Sequence, residues 1–239
     1  MLRKRALASL RRAIAAPVRA LLLRPGHALR VPLGLGRGLR LEADPDAPLQ
    51  AYLGTAEVEL AGHIRRLARP GYRCFDLGGY NAYYALVLAR QTGAPVASFE
   101  SDPRAIEQME RNLRLNPTLS AHITVWRVHV AHERDRRTGA DTLDRLVAED
   151  GLFVPQFIKI DVEWAELAVL EGARRLLEEH SPHLVIETHT PELERGCIEF
   201  LRGAGYAPVV VAQRRWLKEA RPAAHNRWLV AEGRPALGS

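Results

Sequence analysis

Residues 74–89 read CFDLGGYNAYYALVLA. Cys74 to Leu77 has the apolar run of a buried strand, and Ala82 to Arg90 has the apolar spacing of a helix. Between them the chain turns on Gly78 and Gly79. Strand, tight glycine turn and helix in immediate succession mark the first βα unit of an α/β sheet, with a ligand against the turn. Asp76 stands before the glycines, an unusual place for an acid in a dinucleotide loop. Tyr80 and Ala82 stand where a glycine-rich loop often carries more glycine.

Working outward, strands and helices keep alternating. Arg73–Leu77, Pro95–Phe99, Ile123–Val130, Phe157–Ile160, Leu184–Glu187, Tyr206–Val211 and Trp228–Ala231 read as strands. Arg104–Leu115, Asp141–Glu149, Glu163–Leu177 and Glu192–Ala204 read as helices. Asp102 is placed to cap the first of these, with Pro103 at its first position. The order predicts a Rossmann-like α/β fold, a mostly parallel seven-stranded sheet with helices on both faces. Before it, residues 1–33 form a basic amphipathic arm. Residues 34–70 are a lead-in with a short strand at Gly38–Glu42 and a helix at Thr55–Ala68. The sheet-bearing domain is residues 71–239.

The net charge of the 239 residues is +6. Residues 1–40 hold ten Lys or Arg and no acid, so the remainder, with 24 basic and 28 acidic residues, is negative. The basic character belongs to the arm, which argues against a nucleic-acid partner for the body. Arg11, Arg12 and Arg19 interrupt any signal-peptide core. The segment reads as a frayed arm or as a helix packed on the body, with peripheral contact on an anionic membrane surface as the second reading. Cys74 and Cys197 fit no metal spacing and point to a reducing, cytoplasmic setting.

In an open α/β sheet, ligands bind beyond the carboxyl ends of the strands. Those positions here are Asp76-Leu77-Gly78-Gly79, Glu100-Ser101-Asp102, His129, Asp161-Val162-Glu163 and Glu187-Thr188-His189. Four of the five carry acids, which repel a diphosphate and suit a ligand with ribose hydroxyls and a positive charge. Glu100, 24 residues after Asp76, is placed to accept ribose hydroxyls. Asp76 is placed to hold an ammonium. Gly78 and Gly79 allow close backbone approach, and the following helix start offers N–H groups to a carboxylate. The set matches S-adenosylmethionine (SAM), with Asp76, Gly78, Gly79, Tyr80, Glu100, Ser101 and Asp161 as the cofactor-binding residues.

CFDLGGYNAYYAL, SFESDP, DTLDRL, FIKIDVEWAELAVLEGARRLL and LVIETH together resemble the FkbM-type family of SAM-dependent methyltransferases, over about residues 50–232. The resemblance implies a final antiparallel strand and methyl transfer mostly to hydroxyl oxygens of a small molecule, sugar or glycan. The family loop usually reads D-x-G-A-N-x-G-Y-Y and the later segment I-K-I-D-V-E-G-A-E. Tyr80 therefore replaces an Asn, Ala82 a Gly and Trp164 a Gly. Ala82 reads as a small change that opens a helix well. Trp164 reads either as narrowing or stacking on the acceptor, or as packing outward.

Methyl transfer needs an oxygen in line with the methyl group and a base for its proton. His189 is the candidate base by type, with Asp161 and Glu187 as adjacent candidates and one carboxylate orienting the ring. Glu163 and Glu166 read as acids favouring a helix N-terminus. No metal is assigned, although Asp161, Glu187 and His189 would also suit a divalent cation. Two rival readings stay open: a SAM-binding protein that does not catalyse, and a nucleotide-dependent oxidoreductase.

Overall fold

A computed structural model describes residues 23–24, 26–45, 47–214 and 227–234. Most of the arm, residues 1–22, lies outside the described residues, as do His225 and Asn226. The chain divides into two compact units, Met1–Ala56 and Glu57–Ser239.

The first unit contains an antiparallel pair, β1 (Ala28–Arg30) and β2 (Arg40–Glu42), and a short helix, α1 (Leu49–Leu53). The strand at Ala28–Arg30 and the helix at Leu49–Leu53 carry too few residues for a periodic signal. Neither was expected.

The second unit opens with a 3-10 turn at Val58–Leu60 that runs into α2 (Ala61–Leu67). Then follow β3 (Cys74–Leu77), α3 (Tyr83–Thr92), β4 (Val96–Phe99), α4 (Pro103–Leu115), α5 (Pro117–Ser120) and β5 (Ile123–Trp126). A two-stranded ribbon, β6 (His129–Val130) with β7 (Ala140–Asp141), leads into α6 (Leu143–Ala148). The chain closes with β8 (Phe157–Ile160), α7 (Glu166–Glu171), α8 (Arg174–His180), β9 (His183–Thr188), α9 (Pro191–Gly203), β10 (Val209–Val211) and β11 (Arg227–Ala231).

Seven strands form the main sheet in the order β10-β11-β9-β8-β3-β4-β5. β3, β4, β5, β8 and β9 pair in parallel, and β11 runs antiparallel to both β9 and β10. The predicted sheet and its antiparallel closing strand are both present. Every residue of β3, β4 and β8 is buried, which is why these strands read as unbroken apolar runs. Phe75, Leu77, Ile158, Ile160, Leu184 and Ile186 form the centre of the core, with Val169, Leu170 and Leu177 from α7 and α8 against them.

The chain steps from β3 outward to β5, then returns to place β8 on the other side of β3. That reversal makes the carboxyl ends of β3 and β8 the switch point of the sheet, the place where ligands bind in open α/β sheets.

Local chemistry sets the helix ends. Asp102 caps α4, its Oδ1 accepting from Arg104 N at 2.7 Å with Pro103 next. Thr190 caps α9 in the same way through Leu193 N. Two predicted elements are corrected. The helix expected over Glu163–Leu177 is two helices that meet at Gly172 and Ala173. Asp144 sits at the break: its N–H donates to Gly172 O at 3.0 Å, and its carboxylate accepts from Arg175 N and Leu176 N at 2.9 and 2.8 Å, while a Cβ on Gly172 would lie 2.0 Å from the Ala131 carbonyl oxygen. The strand expected over Ile123–Val130 leaves the main sheet at Trp126. His129 therefore sits exposed on the small ribbon and not at a strand end of the main sheet. Among the described residues no helix is long and apolar enough to cross a membrane, and both cysteines are buried and free.

Candidate active site

The loop Gly78–Ala82 leaves the end of β3 and is fastened on the β4 side. Gly78 N and Gly79 N both donate to Phe99 O, at 3.0 and 2.9 Å. Tyr80 N donates to Glu100 Oε2 at 3.0 Å. The Asn81 carbonyl accepts from Asn112 Nδ2, a buried side chain of α4, at 2.8 Å. The two glycines are demanded by the protein itself. Gly78 has φ +81°, and a Cβ there would lie 1.8 Å from the Asp161 carbonyl oxygen. A Cβ on Gly79 would crowd Ser98 Oγ and Met109 Cε at 2.5 and 2.6 Å. The small size of Gly78 lets the β3 and β8 loops touch at the switch point, and that of Gly79 lets the loop lie against β4 and α4.

Ala82 does not open the helix. It is the residue before α3, buried, with φ +63°. Tyr80 (φ +43°) and Trp164 (φ +67°) are also left-handed. This conformation costs a side-chain-bearing residue about 1–2 kcal/mol and costs glycine little. The three departures noted in the sequence, at 80, 82 and 164, thus fall on backbone that favours Gly or Asn.

Glu100 is gripped by backbone. Beyond Tyr80 N on Oε2, its Oε1 accepts from Ser101 N at 2.7 Å and Asp102 N at 3.0 Å. Three of the four lone-pair sites of the carboxylate are thereby filled, so its position is fixed and Oε2 retains one. Asp76 is 1% exposed. Its Oδ2 accepts from Ser98 Oγ at 2.9 Å, while its buried Oδ1 has no hydrogen-bond partner. Burial pushes its carboxyl up to about 6, against the pull of Lys159 and Ser98.

Lys159 is the buried cation of the site. Its Nζ lies 2.7 Å from Asp161 Oδ2 and 4.3 Å from the centre of the Tyr84 ring. Tyr84 in turn donates its hydroxyl to Glu57. Burial pulls the Lys159 ammonium down, but Asp161, Glu57, Asp76 and Glu187 outweigh it and hold it charged.

His189, just past β9, faces two sets of carboxylates. Its Nδ1 hydrogen-bonds to Glu166, and its Nε2 lies 3.9 Å from Asp161 Oδ1. Glu187, 2% exposed, accepts from Trp228 Nε1 at 3.1 Å. Ligand atoms of Asp161, Glu187 and His189 lie within 4.8 Å of one another. Burial lowers the His189 imidazolium most, yet the Glu166 bond and the charges of Glu166, Asp161 and Glu163 together raise it above its ordinary value. Glu166 opens α7 as expected, but it is fully buried and turned onto the imidazole. Its other oxygen, Oε2, is buried without a partner. Glu163 stays exposed in the turn before α7.

The structure thus brings Asp161, Glu187 and His189 together and joins Asp76 to them through Lys159. Glu100, Tyr80 and Ser101 lie along the neighbouring β4 edge. Glu166, Lys159, Tyr84 and Glu57 were not singled out as site residues from sequence. Glu166 and Lys159 both lie inside FIKIDVEWAE, part of one of the segments that carry the family resemblance.

Residues 134–220 match the methyltransferase FkbM domain, a span that holds Asp161, Glu166, Glu187 and His189. No curated protein matches the chain. Among solved structures, the methyltransferase FkbM from Methylobacillus flagellatus KT shares 18% identity at a TM-score of 0.55, over 77% of this chain and 55% of that one. The chain therefore spans little more than half the length of that protein. The precorrin-6y C5,15-methyltransferase from Geobacter metallireducens GS-15 shares 16% identity at 0.51, covering 75% and 88%. The precorrin 8w decarboxylase from Methanobacterium thermoautotrophicum shares 18% at 0.55, covering 81% and 96%. At such identities the likeness to these structures is one of fold. The chain is thus similar to the FkbM methyltransferases in sequence over residues 134–220, and its sheet has the Rossmann-like fold of methyltransferases.

Proposed function

We propose that the protein transfers a methyl group from SAM to a hydroxyl oxygen of a small molecule, sugar or glycan. The observation that carries this reading is the charge along the carboxyl edge of the sheet. Asp76, Glu100, Asp161, Glu166 and Glu187 stand there with one ammonium, Lys159, and one imidazole. Such an edge attracts a ligand that is cationic where it meets the protein and repels a diphosphate. The residues present fit SAM. The fixed Glu100 carboxylate would accept a ribose hydroxyl, beside Tyr80 and Ser101. The Asp76 carboxyl, with a buried oxygen lacking a donor, would hold the amino group directly or through water. The pinned Gly78–Ala82 loop would line the methionine part. When bound, SAM supplies the electrophilic methyl group.

The chain's own task is to orient the acceptor and take its proton. In the neutral imidazole, the Glu166 bond keeps the proton on Nδ1 and leaves the Nε2 lone pair facing Asp161. A base so oriented can accept the hydroxyl proton, and Glu166 then stabilises the imidazolium. Asp161 and Glu187 would fix the acceptor through its hydroxyls.

Calorimetry with S-adenosylhomocysteine tests the cofactor. We expect the wild type to bind and Glu100→Ala to bind at least about tenfold more weakly, as loss of a charged hydrogen bond dictates. A wild type that binds nothing, or an Glu100→Ala variant with unaltered affinity, overturns the proposal. Transfer of a carbon-13 methyl from labelled SAM, read by NMR, separates an O-methyl product from an N- or C-methyl one.

A further inference from the structure

Trp164 occupies a left-handed backbone position, and its side chain is 60% exposed. The strain is therefore not offset by burial of the ring. Strained residues that burial does not explain gather at ligand sites. The indole lies against the proposed base: the Trp164 and His189 ring centres are 6.1 Å apart, with the planes tilted by 36°. Asp161, three residues earlier, carries an oxygen 3.9 Å from His189 Nε2.

We propose that the Trp164 indole is the floor of the acceptor subsite, and that the acceptor is a neutral polyhydroxylated ring of the pyranose class. This rests on the methyltransferase reading and gives it a substrate class. The chemistry divides the candidates. The Asp161 carboxylate and the Nε2 of neutral His189 are acceptors, so a ligand beside them must bring donors. A phosphorylated or carboxylated acceptor is repelled by the surrounding acids. A flat aromatic ring would satisfy the indole and bring few hydroxyls to the acids. A pyranose offers both at once. Its C–H face meets the electron-rich indole face, and its hydroxyl rim meets His189 and Asp161. Trp164 is then a specificity residue, and a glycine at 164 would leave the rim contacts and remove the floor.

The test is saturation-transfer NMR on the full chain loaded with S-adenosylhomocysteine. The probes are methyl pyranosides of neutral hexoses and 6-deoxyhexoses, with methyl gallate as the planar comparison. For the wild type we expect saturation of one face of a pyranoside ring. Trp164→Gly, which relieves the backbone strain, should fold, keep its S-adenosylhomocysteine affinity and lose roughly two- to tenfold of the signal. Trp164→Phe should retain most of it. Equal pyranoside saturation in wild type and Trp164→Gly overturns the proposal, as does its absence in the loaded wild type. Saturation confined to methyl gallate overturns the sugar class. Trp164-dependent pyranoside saturation in a protein that does not bind S-adenosylhomocysteine supports the subsite and overturns the methyltransferase reading, so the two failures are distinguishable.

Discussion

Replacing Glu166 with glutamine separates a positioned base from a merely buried acid. The side chain is fully buried, one oxygen bonds His189 Nδ1, and the other has no partner. Glutamine is isosteric, so packing is kept. What is lost is a charge-assisted hydrogen bond to the imidazolium that forms as the acceptor proton is taken. Such bonds contribute about 1.5–3 kcal/mol, which lowers kcat roughly 10- to 150-fold. Stability should change little, because a buried charge is removed while an amide NH2 takes the place of the unpartnered oxygen. The pH profile carries the decisive sign. Against the opposing effect of burial, Glu166 is the first of the groups that raise His189, and the base acts when deprotonated. Activity therefore rises with pH through that raised value. Without the carboxylate, the acidic limb moves to lower pH while the plateau falls. Steady-state kinetics across pH with saturating SAM, together with urea unfolding, measure all three quantities. A plateau within about twofold of wild type, or a limb that stays in place or moves to higher pH, refutes the assignment.

Other perturbations read the rest of the site. Asp76 rises from 3.8 in an unfolded chain to about 6 when buried. Its contribution to stability is full below about pH 4 and is lost as pH climbs to 6, about 3 kcal/mol in all. Urea unfolding between those limits should show this slope in wild type and a flatter one in Asp76→Asn; parallel curves would refute it. Lys159→Met leaves the buried Asp76 and Glu187, and the half-buried Asp161, without their cation and should cost about 3–5 kcal/mol, measured as a drop in the urea midpoint. The Lys159 ammonium already neutralises Asp161 Oδ2 at 2.7 Å, so dialysis against EDTA should leave turnover unchanged. Loss of activity restored by a divalent cation would show that His189 is not acting as the base.

Much of the sheet was readable because its central strands are buried on both faces and spell unbroken apolar runs, as in Phe157–Ile160. The breaks were less readable because distant contacts set them. Nothing local to Glu163–Leu177 ends a helix, and Gly172 alone is a weak signal. The break is held from elsewhere, by Asp144, which takes the Gly172 carbonyl and accepts from Arg175 N and Leu176 N. The acids at strand ends were legible by position alone, since Asp76, Glu100, Asp161 and Glu187 each close or follow a strand. The partner of His189 was not. Glu166 is 23 residues earlier and on another element, and its place at a helix start offered a sufficient local reason for an acid.

The same limit explains the three residues that depart from the family pattern. In sequence they looked unlike one another, with Ala82 the mildest change. In the structure they share one feature, a left-handed backbone that costs each about 1–2 kcal/mol. They differ in what offsets it. Ala82 is fully buried, so its methyl is held in the packing at the head of α3. Tyr80 and Trp164 are 50% and 60% exposed, and burial offsets much less. Against a typical folding free energy of about 5–15 kcal/mol, two such costs on exposed aromatics are large enough to need a reason. Tyr80 adjoins Glu100 through its own N–H, and Trp164 adjoins His189 through its ring. One thus flanks the carboxylate proposed for the ribose, and the other the imidazole proposed for the acceptor. On this argument the fold and its acids set the class of reaction, and these two rings set what this chain does differently within it.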